Sequence, residues 1–290
     1  MTALAVEAVD EHRSQLGENP HWDGAAIQYV DIAGGCVQRI TLSDGRRDEV
    51  VVGGEVGFAV PRRRGGLVYG RDREVVLRDD DGDEEVIAAV EPDALDNRFN
   101  DGKSDTRGRL WAGTMSKQRE PGRAALYRLD PVERRLDVVL PELTLANGLG
   151  WSPDDATMYF IDSTTQRIDA FDFDADAGRL SGRRPLCEID PADGLPDGLT
   201  VDAEGGVWVA LFGGGAVRRY APNGTLASVV PLPTLNPTSP TFGGPQLDEL
   251  YVTTARHRLT PQQLASDPIA GALLRVRPGV RGRAPNVYAG

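Results

Sequence analysis

Four polar residues, Glu18, Asn100, Asn147 and Asp197, each open a short apolar segment that runs into an Asp/Gly-rich turn and then an aromatic: Tyr29, Trp111, Tyr159 and Trp208. The offsets from polar leader to aromatic are 11, 11, 12 and 11 residues, so the four leaders occupy equivalent places in one repeated unit. Two carboxylates and two amides at equivalent positions form a hard oxygen-donor set. Such a set suits Ca²⁺ foremost, and also Mg²⁺ or Mn²⁺, without excluding Zn²⁺ or Fe²⁺. Where leaders crowd together away from water, an unpaired carboxylate is costly and a divalent cation compensates it directly. Glu18, Asn147 and Asp197 are therefore the candidate ligands of one metal ion. The same side chains could equally cap strands and satisfy one another through waters, and residue type alone leaves both readings open.

The elements that must position these residues follow from the repeat itself. Two weaker copies fill the gaps, one led by Gly57 with Val68 in the aromatic place, the other led by Ser239 with Tyr251. The six leaders are separated by 39, 43, 47, 50 and 42 residues, the length of one four-stranded propeller blade. Gly and Pro are spread throughout, and apolar residues come in short runs, as strands joined by tight turns require. The expectation is an all-β, six-bladed β-propeller forming a single domain over residues 1–290, with a metal site at one end of the central channel. A sandwich of two sheets would not produce a long period six times over. In a propeller the first strand of each blade lines the channel, which gathers the six leaders at one end. The segment from Thr2 to Asp10 is expected to pair with the last unit and close the ring, since an open edge invites aggregation.

Composition removes several function classes. A net charge of −12, with no basic stripe, argues against nucleic acid as a partner. No apolar run is long enough to span a membrane, and the first residues lack the pattern of a signal peptide, so a cytoplasmic protein is expected. Cys36 and Cys187 lie in apolar, strand-like stretches and read as buried, reduced thiols. Gly102-Lys103-Ser104 lacks the earlier glycine of a phosphate-binding loop, because Asn97 holds that place. The acidic run from Asp79 to Glu85 fails as a calcium loop, since the EF-hand register puts Leu77 first and Ala88 at the bidentate position, and it reads as a solvated hairpin tip. No G-x-S-x-G elbow occurs, and His12, His21 and His257 lead no inner strand, so a serine hydrolase triad is not expected. His21 reads as a packing or surface residue near the channel.

Long motifs carry a resemblance over essentially the whole chain: LGENPHWD, NRFNDGKSDTRGRLWAGTM, ANGLGWSPD, LPDGLTVDAEGGVWVA, ELYVTTAR and a terminal PNVYAG. On these the sequence resembles the senescence marker protein, gluconolactonase and regucalcin family. The resemblance implies that Glu18, Asn147 and Asp197 hold the metal and that Arg98 and Asn100 hold the substrate's hydroxyls and ring. It also implies an acidic residue reaching substrate from the loop after Met115. Counting from Met115, Gln118 takes that place here, with Glu120 two residues later, so substrate choice is where this chain departs from the pattern. The loop from Ser116 to Ala124 is polar and Gly/Pro-bearing, as suits either a lid or an ordinary surface connection.

The implied activity is metal-dependent hydrolysis of a sugar lactone, with water attacking a polarised carbonyl and Asp197 as general base. Two alternatives share the scaffold. One is a phosphotriesterase or aryl esterase, and the other is a calcium-binding regulatory protein without turnover.

Overall fold

Each unit of the repeat builds one sheet of four antiparallel strands, and six such sheets form in the computed structural model, which describes residues 4–290. The inner strands are Gly17–Trp22, Val56–Pro61, Asn97–Ser104, Ala146–Trp151, Leu195–Val201 and Pro237–Gly243. Each contacts the next, and the last returns to the first, which closes the six-bladed propeller. Almost every inner-strand residue is buried, whereas outer strands such as Glu84–Ala89 and Leu226–Pro231 are largely exposed. The hydrophobic core sits between neighbouring blades. Trp111 meets Trp151 and Phe173 edge-on at 6.0 and 5.8 Å between ring centroids, and Phe58 meets Phe99 at 5.6 Å.

The aromatic of the repeat is fixed by an aspartate six residues before it in two blades. Asp105 Oδ1 accepts from Arg107 N and Arg109 N while Oδ2 accepts from Trp111 Nε1 at 2.9 Å and from Arg109 Nε. Asp202 repeats the pattern with Glu204 N, Gly206 N, Trp208 Nε1 and Arg219 Nε. The Asp/Gly-rich turn that the sequence shows before each aromatic is thus, in these two blades, a hydrogen-bonded clip that ties the first strand's exit turn to the second strand.

The ring closes as the sequence suggests. Val6–Ala8 adds an antiparallel fourth strand to the last blade, Val6 opposite Val276 and Ala8 opposite Leu274, while Thr2 and Ala3 lie outside the described residues. The C-terminal tail then crosses the end of the channel where the inner strands finish. There Tyr288 N donates to Pro61 O, Ala289 N to Gly108 O and Ala203 N to Arg281 O. The acidic run from Asp79 occupies an exposed turn between strands Glu74–Arg78 and Glu84–Ala89, and Gly102-Lys103-Ser104 lies within an inner strand. Cys36 and Cys187 are both free thiols, and burial pushes Cys187 up to about 11, which leaves it protonated at neutral pH. Among the described residues no helix is long and apolar enough to cross a membrane.

Candidate metal and substrate site

Register breaks at or beside the leader in every inner strand. The shifts fall after Glu18, at Gly57, at Asn100, at Asn147-Gly148, at Asp197-Gly198 and before Ser239. A β-bulge re-aims the side chain it carries. Four of the six leaders, Glu18, Asn100, Asn147 and Asp197, reach one cavity at the end where the strands begin, while Gly57 has no side chain to offer and Ser239 does not line it. Gly148 and Gly198 let the blades close up around them. A Cβ on Gly148 would lie 2.5 Å from Leu199 N, and one on Gly198 would lie 2.1 Å from Ser239 Oγ. Gly148→Ala is therefore expected to cost about 1–3 kcal/mol of stability by overpacking. Denaturant unfolding checks this, and an unchanged midpoint would show that the neighbouring blade yields.

Glu18, Arg98, Asn100, Asn147 and Asp197 line one cavity at this end of the channel, of about 500 Å³ including the part open to solvent. All five are at least nine-tenths buried. Glu18 Oε2 accepts from Asn19 N at 2.8 Å, and burial, with Asp197 and Asp101 close by, holds its carboxyl well above the usual range. Burial and then Asp101 push Asp197 up to about 8. Asn147 Nδ2 donates to Ser163 Oγ at 3.0 Å, and its Oδ1 is buried with no donor. Two buried carboxylates and an amide oxygen without a partner thus line one space. Among the described residues no three His, Cys, Asp or Glu side chains gather as a metal-binding group, and this set contains only two of those residue types.

Two outer aspartates anchor the strand entries that carry these groups. Asp31 accepts from Gln15 N at 2.8 Å and Leu16 N at 3.0 Å, just before Glu18. Asp162 accepts from Thr144 N at 3.0 Å and Leu145 N at 3.1 Å, just before Asn147. Arg98 Nη1 donates to Phe99 O and to Asn100 Oδ1, each at 2.8 Å, while Asn100 Nδ2 donates to Ala146 O, so the pair is rigidly seated.

Gln118 and Glu120 are placed elsewhere. Both are exposed and neither lines the cavity; Arg119, between them, does. Chain direction explains the difference: Arg119 has φ of +55°, which turns the loop so that the residue between the two expected ones faces inward. Sequence reasoning also missed Asp101, which is fully buried next to Asn100, with Oδ2 unpartnered and Oδ1 accepting from Asn19 Nδ2 at 2.8 Å. Residue alternation points Asp101 away from Asn100, and the bulge cancels that inference. Arg258 and His257, also on the cavity wall, gave no signal beyond their place just after the last blade's second strand, Glu249–Thr254. His21 lines a different cavity at the far end of the channel, with Lys103 and the tail residues Arg283 and Asn286, and burial lowers its imidazole to about 4.

Residues 16–256 match the SMP-30/Gluconolactonase/LRE-like region. The chain belongs to this family. Regucalcin of Danio rerio is 37% identical over 299 residues, with all of both chains covered. Among solved structures, a luciferin-regenerating enzyme superposes with TM-score 0.93 at 33% identity, covering 99% of this chain and 100% of that one. A calcium-binding regucalcin from Agrobacterium tumefaciens strain C58 does so with TM-score 0.94 at 28% identity, covering 99% and 98%. The names of the family and of these relatives cover lactone hydrolysis, calcium binding and luciferin regeneration.

Proposed function

We propose that this family member hydrolyses a sugar lactone, using one divalent cation held by Glu18, Asn147 and Asp197. The observation that carries the reading is the buried Glu18–Asp197 pair beside the unpartnered Asn147 Oδ1, an oxygen set that makes no ion pair among the described residues although guanidiniums line the same cavity. The donor chemistry fits a hard cation such as Ca²⁺, which when bound supplies Lewis-acid polarisation of a carbonyl and compensates the charge that develops on it.

The chain's own residues do the rest. Asp197 accepts the proton of the attacking water. Asp197 is in the ionised form that can take a proton when a cation is bound beside it. Asn100 and Arg98 line the same cavity and hold the sugar's oxygens, with Arg98 braced against Glu55 at 3.5 Å. Burial around the carboxylates limits bulk water and strengthens each polar contact.

A panel of aldonolactones, a phosphotriester and an aryl ester, each assayed with Ca²⁺, Mg²⁺, Mn²⁺, Zn²⁺ or Fe²⁺, tests the reading. Turnover of lactones well above the other two classes is expected. Preferential turnover of the phosphotriester or aryl ester would move the reading to those substrates. Tight Ca²⁺ binding with no turnover of any class would favour a calcium-binding regulatory protein, a reading supported by the calcium-binding neighbour.

A further inference from the structure

The cavity wall is basic in a strongly acidic protein. Its charged side chains include two carboxylates, Glu18 and Asp197, against three guanidiniums, Arg98, Arg119 and Arg258, in a chain of net charge −12. Arg98 lies near Glu55, which also pairs with Lys117. Arg119 and Arg258 make no side-chain hydrogen bond or ion pair among the described residues, and Arg119 Nε is buried without a partner. The two come from different blades, one from the loop after Leu110–Ser116 and one after Glu249–Thr254. They lie close enough that Arg258 lowers the proton affinity of Arg119, after burial, while Asp197 raises it.

Backbone conformation sharpens the point. Arg119 and Arg258 have φ of +55° and +64°, a left-handed region that a glycine occupies without strain and a long side chain rarely does. Two guanidiniums without ion pairs, brought from different blades to one mouth, argue for a role in the site rather than for packing. Once a cation compensates Glu18 and Asp197, nothing on the wall answers these guanidiniums, and Gln118 and Glu120 point elsewhere.

We propose that the substrate carries an ionised carboxylate besides its lactone ring, bound by Arg119 and Arg258: the monolactone of a sugar diacid rather than a neutral aldonolactone. This rests on the lactonase reading above. The oxygen of the water adds to the acyl carbon and the bond to the ring oxygen breaks. That oxygen leaves as a hydroxyl with one water proton, and the new acid releases the other, giving a dicarboxylate. A planar guanidinium matches a carboxylate in two parallel hydrogen bonds, and a pair of them selects charge as well as shape.

The test compares D-glucaro-1,4-lactone with D-glucono-1,4-lactone, which share the ring and differ in the carboxylate, on the metal-loaded full chain. The carboxylated lactone is expected to show kcat/KM at least tenfold higher at low ionic strength, with the advantage shrinking as salt is added. Arg119→Gln with Arg258→Gln should cut that selectivity at least tenfold, mainly through KM, and Arg119→Lys should keep part of it. Equal or lower kcat/KM on the carboxylated lactone, or selectivity that survives in the double variant, would overturn the inference while leaving lactone hydrolysis standing. Calorimetric binding of open-chain glucarate against gluconate decides the matter without turnover. Preference for glucarate that disappears in the double variant supports the inference even if no lactone is hydrolysed, and no preference there sinks it.

Discussion

Asp197→Asn is expected to lower lactone turnover by roughly 10²–10⁴ while the protein remains folded, because the amide cannot take the proton that the attacking water must lose. Asn keeps the shape and one oxygen ligand, so the cavity geometry around Glu18 and Asn147 is preserved. It also removes one of two buried carboxylates that repel each other and Asp101, so the metal-free variant should be at least as stable as the parent near pH 8. Metal affinity falls with the lost charge, and turnover is therefore compared at metal concentrations that saturate each protein. Thermal melting alongside the rate separates a chemical defect from a folding one. Near-parental turnover in a folded, metal-saturated variant would take the base role away from Asp197.

Stability should depend on metal and pH together. In the metal-free protein burial raises both the Glu18 and Asp197 carboxyls above their unfolded values, Asp197 from 3.8 to about 8. A group whose folded pKa is raised contributes stability that is fully present below its unfolded pKa and is lost as pH rises through the folded one. This pair should therefore withdraw stability from the metal-free protein between about pH 4 and about pH 8, opposed below about pH 6.5 by His21, whose lowered pKa works in the other direction. A bound cation requires both groups ionised and relieves their repulsion, so the gain on adding metal should widen over the same range. At a hundredfold excess over its dissociation constant the cation adds about 2.7 kcal/mol, visible as a rise in Tm. Glu18→Gln should shrink that rise and Asn147→Ala should weaken it, whereas a change at Asp80, in the exposed turn, should leave it intact. Melting curves with Ca²⁺ and with chelator at several pH values check all of this. A metal response lost in the Asp80 variant but kept in Glu18→Gln would place the cation elsewhere.

The propeller was legible because a tandem repeat states its architecture six times. The aromatics Trp111 and Trp208 and their aspartates, Asp105 and Asp202, recur at fixed spacing since each pair is one hydrogen-bonded clip. Glu18, Asn147 and Asp197 were legible for the same reason: equivalent positions in successive blades must meet at the axis. Residues outside the repeat's register were not. Arg119 and Arg258 sit in loops after the second strands, where no periodicity says which side chain turns inward, and a positive φ at each decides it. Counting along the loop instead selected Gln118 and Glu120, which the chain leaves in solvent. Asp101 was hidden by a different device, since strand alternation assigns neighbours to opposite faces and the bulge beside Asn100 breaks that rule.

Lactone hydrolysis by metal-stripped protein, resupplied in turn with Ca²⁺, Mg²⁺, Mn²⁺, Zn²⁺ or Fe²⁺, tests the central claim most directly, with parent and Glu18→Gln assayed side by side. The account predicts that chelation abolishes turnover, that at least one of these ions restores it in the parent, and that Glu18→Gln needs far more of that ion. Undiminished hydrolysis by the stripped parent, or equal metal requirements in the two proteins, would contradict it.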